Sequence, residues 1–568
     1  MENNWDETYD IVVVGAGTGL FAGIAAAGAG LKTLVVEKSE YLGGSTAMSG
    51  GGLWMPGNSV LREARTGDTR ERAETYLDNL VGDTAPRERR VAYLEHSPAA
   101  VDLLRSATPL SFSHMREYSD YVSELEGGSA IGRSIEAKPF DMASLGDDEE
   151  LVRASGVSAP VPMPITSVDY KWMNLMVRKP VKAFPKVFWR VAQGIGGKLL
   201  FKRNYVAGGQ ALAAGLIAGA RRAGVEMRLQ TPLRDLVMDG DRVSGVVVEQ
   251  GGEEVRIEAT KGVILAAGGF DHNMDMRQEY QSELLERWSL GNPANTGGVI
   301  NIAERHGAAL TLMDQSWWFP AIPPVKKGDV PSVMLAERSL PGSMIVDCTG
   351  HRFFNESSDY MNAGQIMLGL KDGEDAHLPV WMIFDQQYRN SYVFGGSVFP
   401  RMKLPKAWYE AGIAHKADTI GELAAKLDMP GLTDGAARFN SLAAQGKDDD
   451  FNRGRSAYDR YYGDPTVTPN PNLRPLTEGP FYAVQVVPGD LGTCGGVMAD
   501  ENARALREDG SAIDGLYAIG NSAGNAFGHF YPGAGATIGQ GLTFGLVAVN
   551  HAAGQLSDSQ GEPVAVGA

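Results

Sequence analysis

Glycines and one carboxylate near the start of the chain have the spacing of a dinucleotide-binding loop. Residues 15–19 read Gly-Ala-Gly-Thr-Gly after the apolar run 9–14, and an acid stands at position 37. Glycines let the backbone approach a pyrophosphate, a helix N-terminus offers free N–H groups to that anion, and a later acid can accept ribose hydroxyls. The predicted dinucleotide contacts are Gly15, Gly17, Thr18, Gly19 and Glu37.

This loop must be held by a βαβ unit. We predict a buried strand over residues 9–14, a small-residue helix over 20–28 and a second strand over 33–37. Leu20 occupies the third position of the fingerprint, where glycine or alanine is usual. We therefore expect Gly19 or Gly23 to provide the close contact between helix and strand.

A second glycine-rich loop follows the unit. Residues 38–58 contain five glycines and three hydroxyl residues within ten positions, and Leu53, Trp54 and Met55 come directly after them. Such a loop can donate backbone N–H groups to phosphates or to the edge of a flavin. Its predicted cofactor contacts are Lys38, Gly44, Ser45, Thr46, Ser49, Gly50, Gly51 and Gly52.

Three later segments return to the cofactor. Residues 231–233 can present backbone groups to an adenine, and residues 262–269 form a buried strand ending in small residues. Near the C-terminus, glycines open a last helix whose N-terminus can stabilise the anion of a reduced ring. The further predicted contacts are Leu233, Ala267, Gly268, Asn295, Gly520, Asn521, Gly535, Ala536, Thr537 and Ile538.

Composition excludes several classes of protein. The chain has 568 residues and a net charge of −17, which argues against general nucleic-acid binding and predicts more than one domain. Two cysteines provide neither a disulfide framework nor a metal cluster. The N-terminus is polar and acidic, and no apolar run reaches the ~18 residues of a spanning helix, so we expect a cytoplasmic protein without a signal peptide.

Residues 142–203 have an unusual composition. Within residues 169–203, nine bases stand against the single acid Asp169, interleaved with aromatic and aliphatic residues. This pattern suits an anionic membrane surface, with Pro180 and Pro185 breaking the segment into short interfacial helices. An ordinary solvated face over core aromatics is the open alternative.

Several motifs together resemble one flavoprotein family. They are VVVGAG, LVVEK and GGSTAMSGG near the start, GRSIEAKPFD at 132–141, RFFNESSDY at 352–360 and YPGAGATIG at 531–539. These segments resemble the 3-ketosteroid Δ1-dehydrogenases of the FAD-containing fumarate reductase superfamily. The family often has proline where this chain has Ala534.

The resemblance implies a catalytic division of labour. Tyr531 O–H and Gly535 N–H would donate to the C3 oxygen of a 3-ketosteroid, while Tyr360 would take the C2 proton with support from Tyr121. The pair at 118 and 121 and the aromatics at 317–319 would otherwise be typical core residues. The predicted substrate contacts are Tyr118, Trp318, Phe319 and Pro532.

The resemblance also implies partners and architecture. We expect non-covalent FAD, no metal, a substrate such as androst-4-ene-3,17-dione, and a quinone or another electron acceptor. We also expect peripheral association with the inner face of the cell membrane. The expected fold is α/β: a Rossmann-like two-dinucleotide-binding FAD domain with an inserted α+β catalytic domain. The predicted pieces are residues 1–141, 204–285 and 484–568 for FAD, 142–203 for the insert and 286–483 for catalysis.

Three alternatives stay open at this point. A fumarate-reductase-like enzyme would use the same scaffold but needs cationic groups for a dicarboxylate. A 3-ketosteroid Δ4-dehydrogenase would share substrate and cofactor. A membrane-bound flavin or sterol carrier would bind the same molecules without turnover.

Overall fold

The computed structural model describes residues 4–156, 162–326, 328–371 and 375–554. The predicted last piece, 484–568, therefore extends beyond the described residues. The strands in chain order are β1 Glu7–Val14, β2 Thr33–Val36, β3 Gly52–Trp54, β4 Phe112–His114, β5 Ser134–Ala137, β6 Phe140–Asp141, β7 Tyr205–Val206, β8 Glu226–Arg228, β9 Leu233–Asp239, β10 Arg242–Gln250, β11 Glu253–Leu265, β12 Leu310–Thr311, β13 Ser316–Ile322, β14 Ser332–Val333, β15 Ser343–Val346, β16 Val380–Phe384, β17 Ala414–Ala417, β18 Phe481–Thr493, β19 Gly496–Val497, β20 Arg504–Leu506 and β21 Ala512–Ala518.

The α-helices are α1 Gly19–Gly28, α2 Gly44–Met48, α3 Ser59–Glu63, α4 Arg70–Val81, α5 Arg87–Ala107, α6 Ser167–Asn174, α7 Pro180–Val191, α8 Gly197–Phe201, α9 Gly208–Arg222, α10 Met274–Tyr280, α11 Gly298–Arg305, α12 Tyr360–Met367, α13 Gln386–Ser391, α14 Lys406–Glu410, α15 Ile420–Leu427, α16 Leu432–Gln445, α17 Ala457–Tyr461 and α18 Ala536–Ala552. Two 3₁₀ segments, Met142–Leu151 and Gly520–Ser522, and a π-helical turn, Ala192–Gly196, complete the regular structure.

A mixed sheet carries the cofactor-type loops. Its order is β20-β21-β11-β1-β2-β8, parallel from β21 to β8, with β10 paired antiparallel to β11 and β9 paired antiparallel to β10. Side chains alternate between the two faces of β1: Ile11 and Val13 belong to the core formed with α1, α9 and α18, whereas Val12 and Val14 belong to the core under β10 and α11. Both faces of the strand are therefore covered, as its apolar run predicts.

Small residues set the distance between α1 and the sheet. A Cβ atom at Gly19 would lie 2.9 Å from Val13 Cγ1, and one at Gly23 would lie 3.0 Å from Val35 Cγ2. Gly15 has φ +112°, and a Cβ there would lie 2.4 Å from the Ala266 carbonyl oxygen. The predicted βαβ unit is confirmed, and both candidate glycines make the close contact that Leu20 cannot.

An antiparallel sheet forms a second unit. Its order is β14-β13-β18-β16-β15, with β17 also paired to β18. Strand β18 runs through the predicted boundary between residues 483 and 484, because its continuous hydrogen bonding to β16 and β13 joins the two pieces. The division of the chain into five pieces stays a prediction, but a boundary at that position would cut a strand.

The basic insert contains α6, α7 and α8. Pro180 opens α7 at its first turn, where a missing N–H leaves no bond unmade. The expectation that Pro185 also breaks the segment is wrong, because α7 continues through it. The proline removes only the helical hydrogen bond to the Val181 carbonyl, and Val181 is exposed. Exposed apolar side chains cluster here: Val181, Phe184, Phe188, Trp189, Leu199, Leu200 and Phe201. Within the described part of the chain, every helix is too short or too polar to cross a membrane.

Candidate active site

A cavity of about 920 Å³ runs from the first glycine loop to a cluster of tyrosines. It opens at the carboxyl ends of β1, β2 and β11, the edge at which open α/β sheets bind ligands. The predicted cofactor residues that line it are Gly15, Gly17, Thr18, Glu37, Lys38, Gly44, Ser45, Thr46, Ser49, Gly50, Gly51, Gly52, Leu233, Ala267, Gly268, Asn295, Gly520, Asn521, Gly535, Thr537 and Ile538. Gly19 and Ala536 do not line it, because each is the first residue of a helix and is buried beneath the loop.

The backbone of this groove fits an extended dinucleotide. A side chain at Gly17 or at Gly44 would meet nothing closer than 3.5 Å and would take up space in the cavity. Helices α1 and α18 begin here without a side-chain cap, so the positive ends of both helix dipoles lie at the groove. These features fit FAD.

Glu37 has a double role in the groove. Its carboxylate accepts the backbone N–H of Ala16 at 3.0 Å and that of Ser39 at 2.9 Å, one on each oxygen. It therefore fixes the glycine loop, and each oxygen keeps acceptor capacity for a ribose hydroxyl.

A buried polar network behind the groove escaped sequence reasoning. Asn295 donates to Ser45 Oγ and to Asp271, both at 3.0 Å, and Ser289 Oγ lies 3.1 Å from Asp271 and 2.7 Å from Asp490. Asp490 also accepts from Arg277 at 2.5 Å. These side chains are scattered between positions 45 and 490 without a common motif, so only the fold brings them together.

Proton counting in this network assigns a proton to Asp271. The Ser289 hydroxyl has one proton for two carboxyl oxygens, and it also accepts the Gly291 N–H at 3.0 Å. When Ser289 donates to Asp490, its contact with Asp271 is a hydrogen bond only if Asp271 carries a proton. Burial, followed by the charge of Asp490, raises the pKa of Asp271 to about 6.

Three predicted catalytic tyrosines meet at the far end of the cavity. Tyr121 O–H donates to the Tyr360 oxygen at 2.7 Å, and both rings lie 5.3 Å from the Tyr531 ring, centroid to centroid. Tyr360 is the first residue of α12, Tyr121 lies between β4 and β5, and Tyr531 lies in the loop before α18. Gly535, the N-cap of α18, lines the same space.

Burial dominates the protonation of these phenols. It raises the pKa of Tyr360 and of Tyr121 well above 10, and it also raises the pKa of Tyr531. The hydrogen bond from Tyr121 lowers the pKa of Tyr360, which is the expected assistance, but its effect is smaller than that of burial.

The predicted substrate contacts divide into two groups. Tyr118 and Phe319 line the cavity, and the Phe319 ring centroid lies 4.7 Å from that of Tyr360. Trp318 and Pro532 do not line it. Along β13, neighbouring side chains alternate between faces, so Trp318 points away and lies under the Arg277 guanidinium at 5.7 Å.

Trp317 does not line the cavity either, but it contacts the tyrosine cluster where Trp318 does not. Trp317 packs edge-on against Tyr531 at 4.7 Å and donates to Asn521 at 3.0 Å. The Pro532 carbonyl accepts the Tyr121 N–H at 3.1 Å and the Tyr76 O–H at 2.8 Å, so Pro532 positions the Tyr121 backbone. The period-2 alternation of a strand could have separated Trp317 from Trp318.

Further wall residues were missed by the sequence. They come from the insert helix α6, from strand β14 and from three loops: Tyr170, Met173, Asn174, Val333, Leu335, Val393, Phe399 and Tyr462. Among the lining residues that the structure describes, the cations are Lys38 and Arg234, both adjoining predicted cofactor residues. Among the described residues, the tyrosine end of the cavity is therefore lined without a cation.

Comparisons with known proteins agree with this geometry. A family model described as FAD binding domain matches residues 10–538. A 3-oxosteroid 1-dehydrogenase of Mycobacterium tuberculosis (strain H37Rv) is 44% identical over 97% of this chain and 99% of its own length. A 4-oxocyclohexanecarboxylate 2-dehydrogenase of Sinomonas cyclohexanicum is 35% identical over 96% of this chain and 93% of its own. The crystal structure of a 3-ketosteroid Δ1-dehydrogenase from Sterolibacterium denitrificans, in complex with 1,4-androstadiene-3,17-dione, is similar with a TM-score of 0.89 and 35% identity, covering 96% of this chain and all of that one.

The proton on Asp271 predicts opposite outcomes for two similar substitutions. Asp271→Asn keeps an acceptor for Asn295 and a donor for Ser289, so we expect a change in unfolding free energy within about 1 kcal/mol. In Asp490→Asn an amide replaces the carboxylate that accepts from three donors, and Arg277 loses its anionic partner. We expect this change to lower the free energy of unfolding by about 3–5 kcal/mol. Thermal unfolding of the two variants measures the difference.

The same comparison has a pH signature. Because the folded-state pKa of Asp271 lies above its ordinary 3.8, wild-type stability should fall, relative to Asp271→Asn, as pH rises through about 6. Parallel stability–pH curves for wild type and Asp271→Asn would show that Asp271 carries no such proton.

Proposed function

Because the chain belongs to the family of FAD-dependent 3-ketosteroid dehydrogenases, we propose that it is a 3-ketosteroid Δ1-dehydrogenase, which desaturates the C1–C2 bond of ring A. The observation that carries this proposal is the convergence of Tyr121, Tyr360 and Tyr531 beside Gly535 in an apolar cavity that continues the dinucleotide groove. FAD held along that groove supplies the acceptor for the hydride that leaves C1.

Tyr531 and Gly535 would bind the substrate carbonyl. An enone becomes acidic at C2 only if the charge that develops on its C3 oxygen is stabilised. The Tyr531 hydroxyl and the Gly535 N–H, at the start of α18, provide two donors and the positive end of a helix for that oxygen. Trp317 and Tyr121 pack against the Tyr531 ring and hold it in place.

Tyr360 would accept the C2 proton. A free tyrosine is a weak base at neutral pH because its pKa is ~10. Tyr121 donates to the Tyr360 oxygen and thereby favours the phenolate that must form. Asp359 caps α12 by accepting the Asn362 N–H at 2.9 Å, which fixes the backbone that carries Tyr360.

The charge of the cavity favours a neutral steroid over a carboxylate substrate. A dicarboxylate, or the 4-oxocyclohexanecarboxylate of the relative, needs a cation near the reacting carbons. Lys38 and Arg234, the lining cations of the described residues, adjoin the dinucleotide loops rather than the tyrosines. Phe319, Leu335 and Phe399 offer apolar surface of the kind that fused rings bury.

Anaerobic titration tests the function. Purified protein should be yellow and should release FAD, not FMN, on denaturation, without a covalent link. Androst-4-ene-3,17-dione should bleach its visible absorbance and yield the 1,4-diene, because removal of hydrogens reduces the cofactor. 4-Oxocyclohexanecarboxylate and fumarate with a reductant serve as controls.

Three results would contradict the proposal. Steroid binding without loss of visible absorbance would indicate a carrier. A 4-ene product from a 5α-reduced 3-ketosteroid would indicate a Δ4-dehydrogenase. Turnover of the carboxylates but not of the steroid would indicate that the cavity binds a carboxylate substrate instead of a steroid.

Single hydroxyl deletions test the division of labour. Tyr531→Phe removes one donor to the C3 oxygen and should slow the reaction by ~10²–10³. Tyr360→Phe should be at least as severe, and Tyr121→Phe milder. Activity should rise toward alkaline pH, and Tyr121→Phe should displace that rise to higher pH, because the lost hydrogen bond lowers the pKa of Tyr360. Near-wild-type turnover of Tyr360→Phe, with hydride transfer as the observed step, would refute the assignment.

We also propose that α7 and α8 rest on an anionic membrane from the cytoplasmic side. Support comes from the exposed apolar side chains of both helices, which alternate with exposed Lys182, Lys198 and Lys202. The other face of the insert, on α6, lines the cavity. Sterols and quinones both partition into membranes, so a quinone is the acceptor that this placement favours.

Charge reversal tests the membrane contact. Each surface lysine contributes about 1 kcal/mol to binding an anionic surface, so Lys182, Lys198 and Lys202 changed together to Glu should release the protein from anionic vesicles. Lys186 is left intact because it pairs with buried Asp169 at 3.6 Å. A control with Lys403, Lys406 and Lys447 changed to Glu has the same net charge and should still sediment. Equal sedimentation of both variants would count against the contact.

A further inference from the structure

The Thr537 hydroxyl lies against the phenol that faces the substrate carbonyl. Thr537 Oγ1 donates to the Tyr531 oxygen at 3.1 Å. Thr537 is the second residue of α18, follows the N-cap Gly535, and lines the cavity. Tyr531 is buried, and its ring is held between Trp317 and Tyr121.

In this hydrogen bond the Thr537 hydroxyl is the donor and the Tyr531 oxygen is the acceptor. A phenol has one proton and can donate once, whereas its oxygen can accept. If the Tyr531 oxygen accepts from Thr537, the Tyr531 proton is available to the cavity, where a substrate oxygen would lie. Without the Thr537 hydroxyl, the phenol loses the hydrogen bond that orients its oxygen.

The same contact changes the acidity of the phenol. Burial raises the pKa of Tyr531, and the hydrogen bond from the Thr537 hydroxyl is the largest effect that lowers it again. A more acidic phenol donates a stronger hydrogen bond to an oxygen that is gaining negative charge.

We propose that Thr537 is a positioning residue for Tyr531, which it orients and polarises as the donor to the substrate C3 oxygen. The proposal rests on the proposed function, because it concerns how that reaction is assisted. It also gives Thr537 a role beyond contact with the cofactor. Thr537 stands two residues after Gly535. The start of α18 therefore positions both the Gly535 N–H and the hydroxyl that contacts Tyr531, the other donor to the C3 oxygen.

The test compares two substitutions at one position with a matched control on the same helix. Thr537→Val keeps the shape and removes the hydroxyl, whereas Thr537→Ser keeps the hydroxyl. Thr543 lies on α18, is fully buried, does not line the cavity, and its hydroxyl has no hydrogen-bond partner among the described residues. Thr543→Val is therefore the same chemical change without a contact to lose.

The expected pattern separates positioning from packing. Thr537→Val should lower kcat with androst-4-ene-3,17-dione about 3- to 10-fold, the effect of one hydrogen bond, with KM little changed. It should weaken binding of 17β-estradiol, a phenolic steroid that is not desaturated at ring A, by a similar factor, measured by the perturbation of visible absorbance. Thr537→Ser should restore both, and Thr543→Val should match wild type.

A double-mutant cycle makes the proposal falsifiable in a second way. In a Tyr531→Phe background there is no phenol to polarise, so Thr537→Val should have no further effect on kcat. An equal further loss in that background, an unchanged kcat and estradiol affinity in Thr537→Val, or a failure of Thr537→Ser to restore them would each overturn it. If Thr537→Val loses FAD, the serine variant still decides, because a required hydroxyl predicts wild-type values there.

The controls also separate this inference from the proposed function. Wild type that does not respond to the steroid at all refutes the function. Wild type that turns over the steroid, while Thr537→Val does so equally well, refutes only the role of Thr537.

Discussion

The hydrogen bond between Tyr121 and Tyr360 joins residues 239 positions apart, and contacts from several elements hold those two buried phenols together. Tyr121 is fixed from behind: Asp120 accepts from Trp54 and from the Ser129 N–H, both at 2.9 Å, and pairs with buried Arg133. Phenols titrate far from neutral pH, so their use depends on contacts that the surroundings enforce rather than on their own acidity.

Buried charge is the main cost of this arrangement. Arg133 with Asp120 and Asp68, and Arg277 with Asp490, lie out of contact with solvent on both sides of the site. Buried ion pairs contribute little net stability, but each becomes strongly destabilising if one partner is lost. Their position suggests that geometry at the tyrosines and at the cofactor groove, rather than stability, is what they supply.

The basic insert connects two surfaces that have different chemistry. Tyr170, Met173 and Asn174 on α6 form part of the cavity wall, while the exposed face of α7 and α8 consists of aromatic and aliphatic side chains with lysines. Asp169 lies between them and accepts from Arg190 at 2.6 Å. The wall of the cavity and the outer apolar face therefore belong to one short, ion-paired segment.

The sequence by itself determined the βαβ unit, its glycine loop, the terminal acid and the last helix start, because those features depend on local spacing and on backbone conformations that glycine permits. The tyrosine at 531 and its glycine at 535 were also readable as a motif. The tertiary structure alone decided that Trp317 and not Trp318 packs against Tyr531, that Pro532 supports Tyr121 instead of lining the site, and that Ser289 joins Asp271 to Asp490. Those facts depend on strand register and on contacts between segments hundreds of residues apart, and such contacts leave no periodic signal in one sequence.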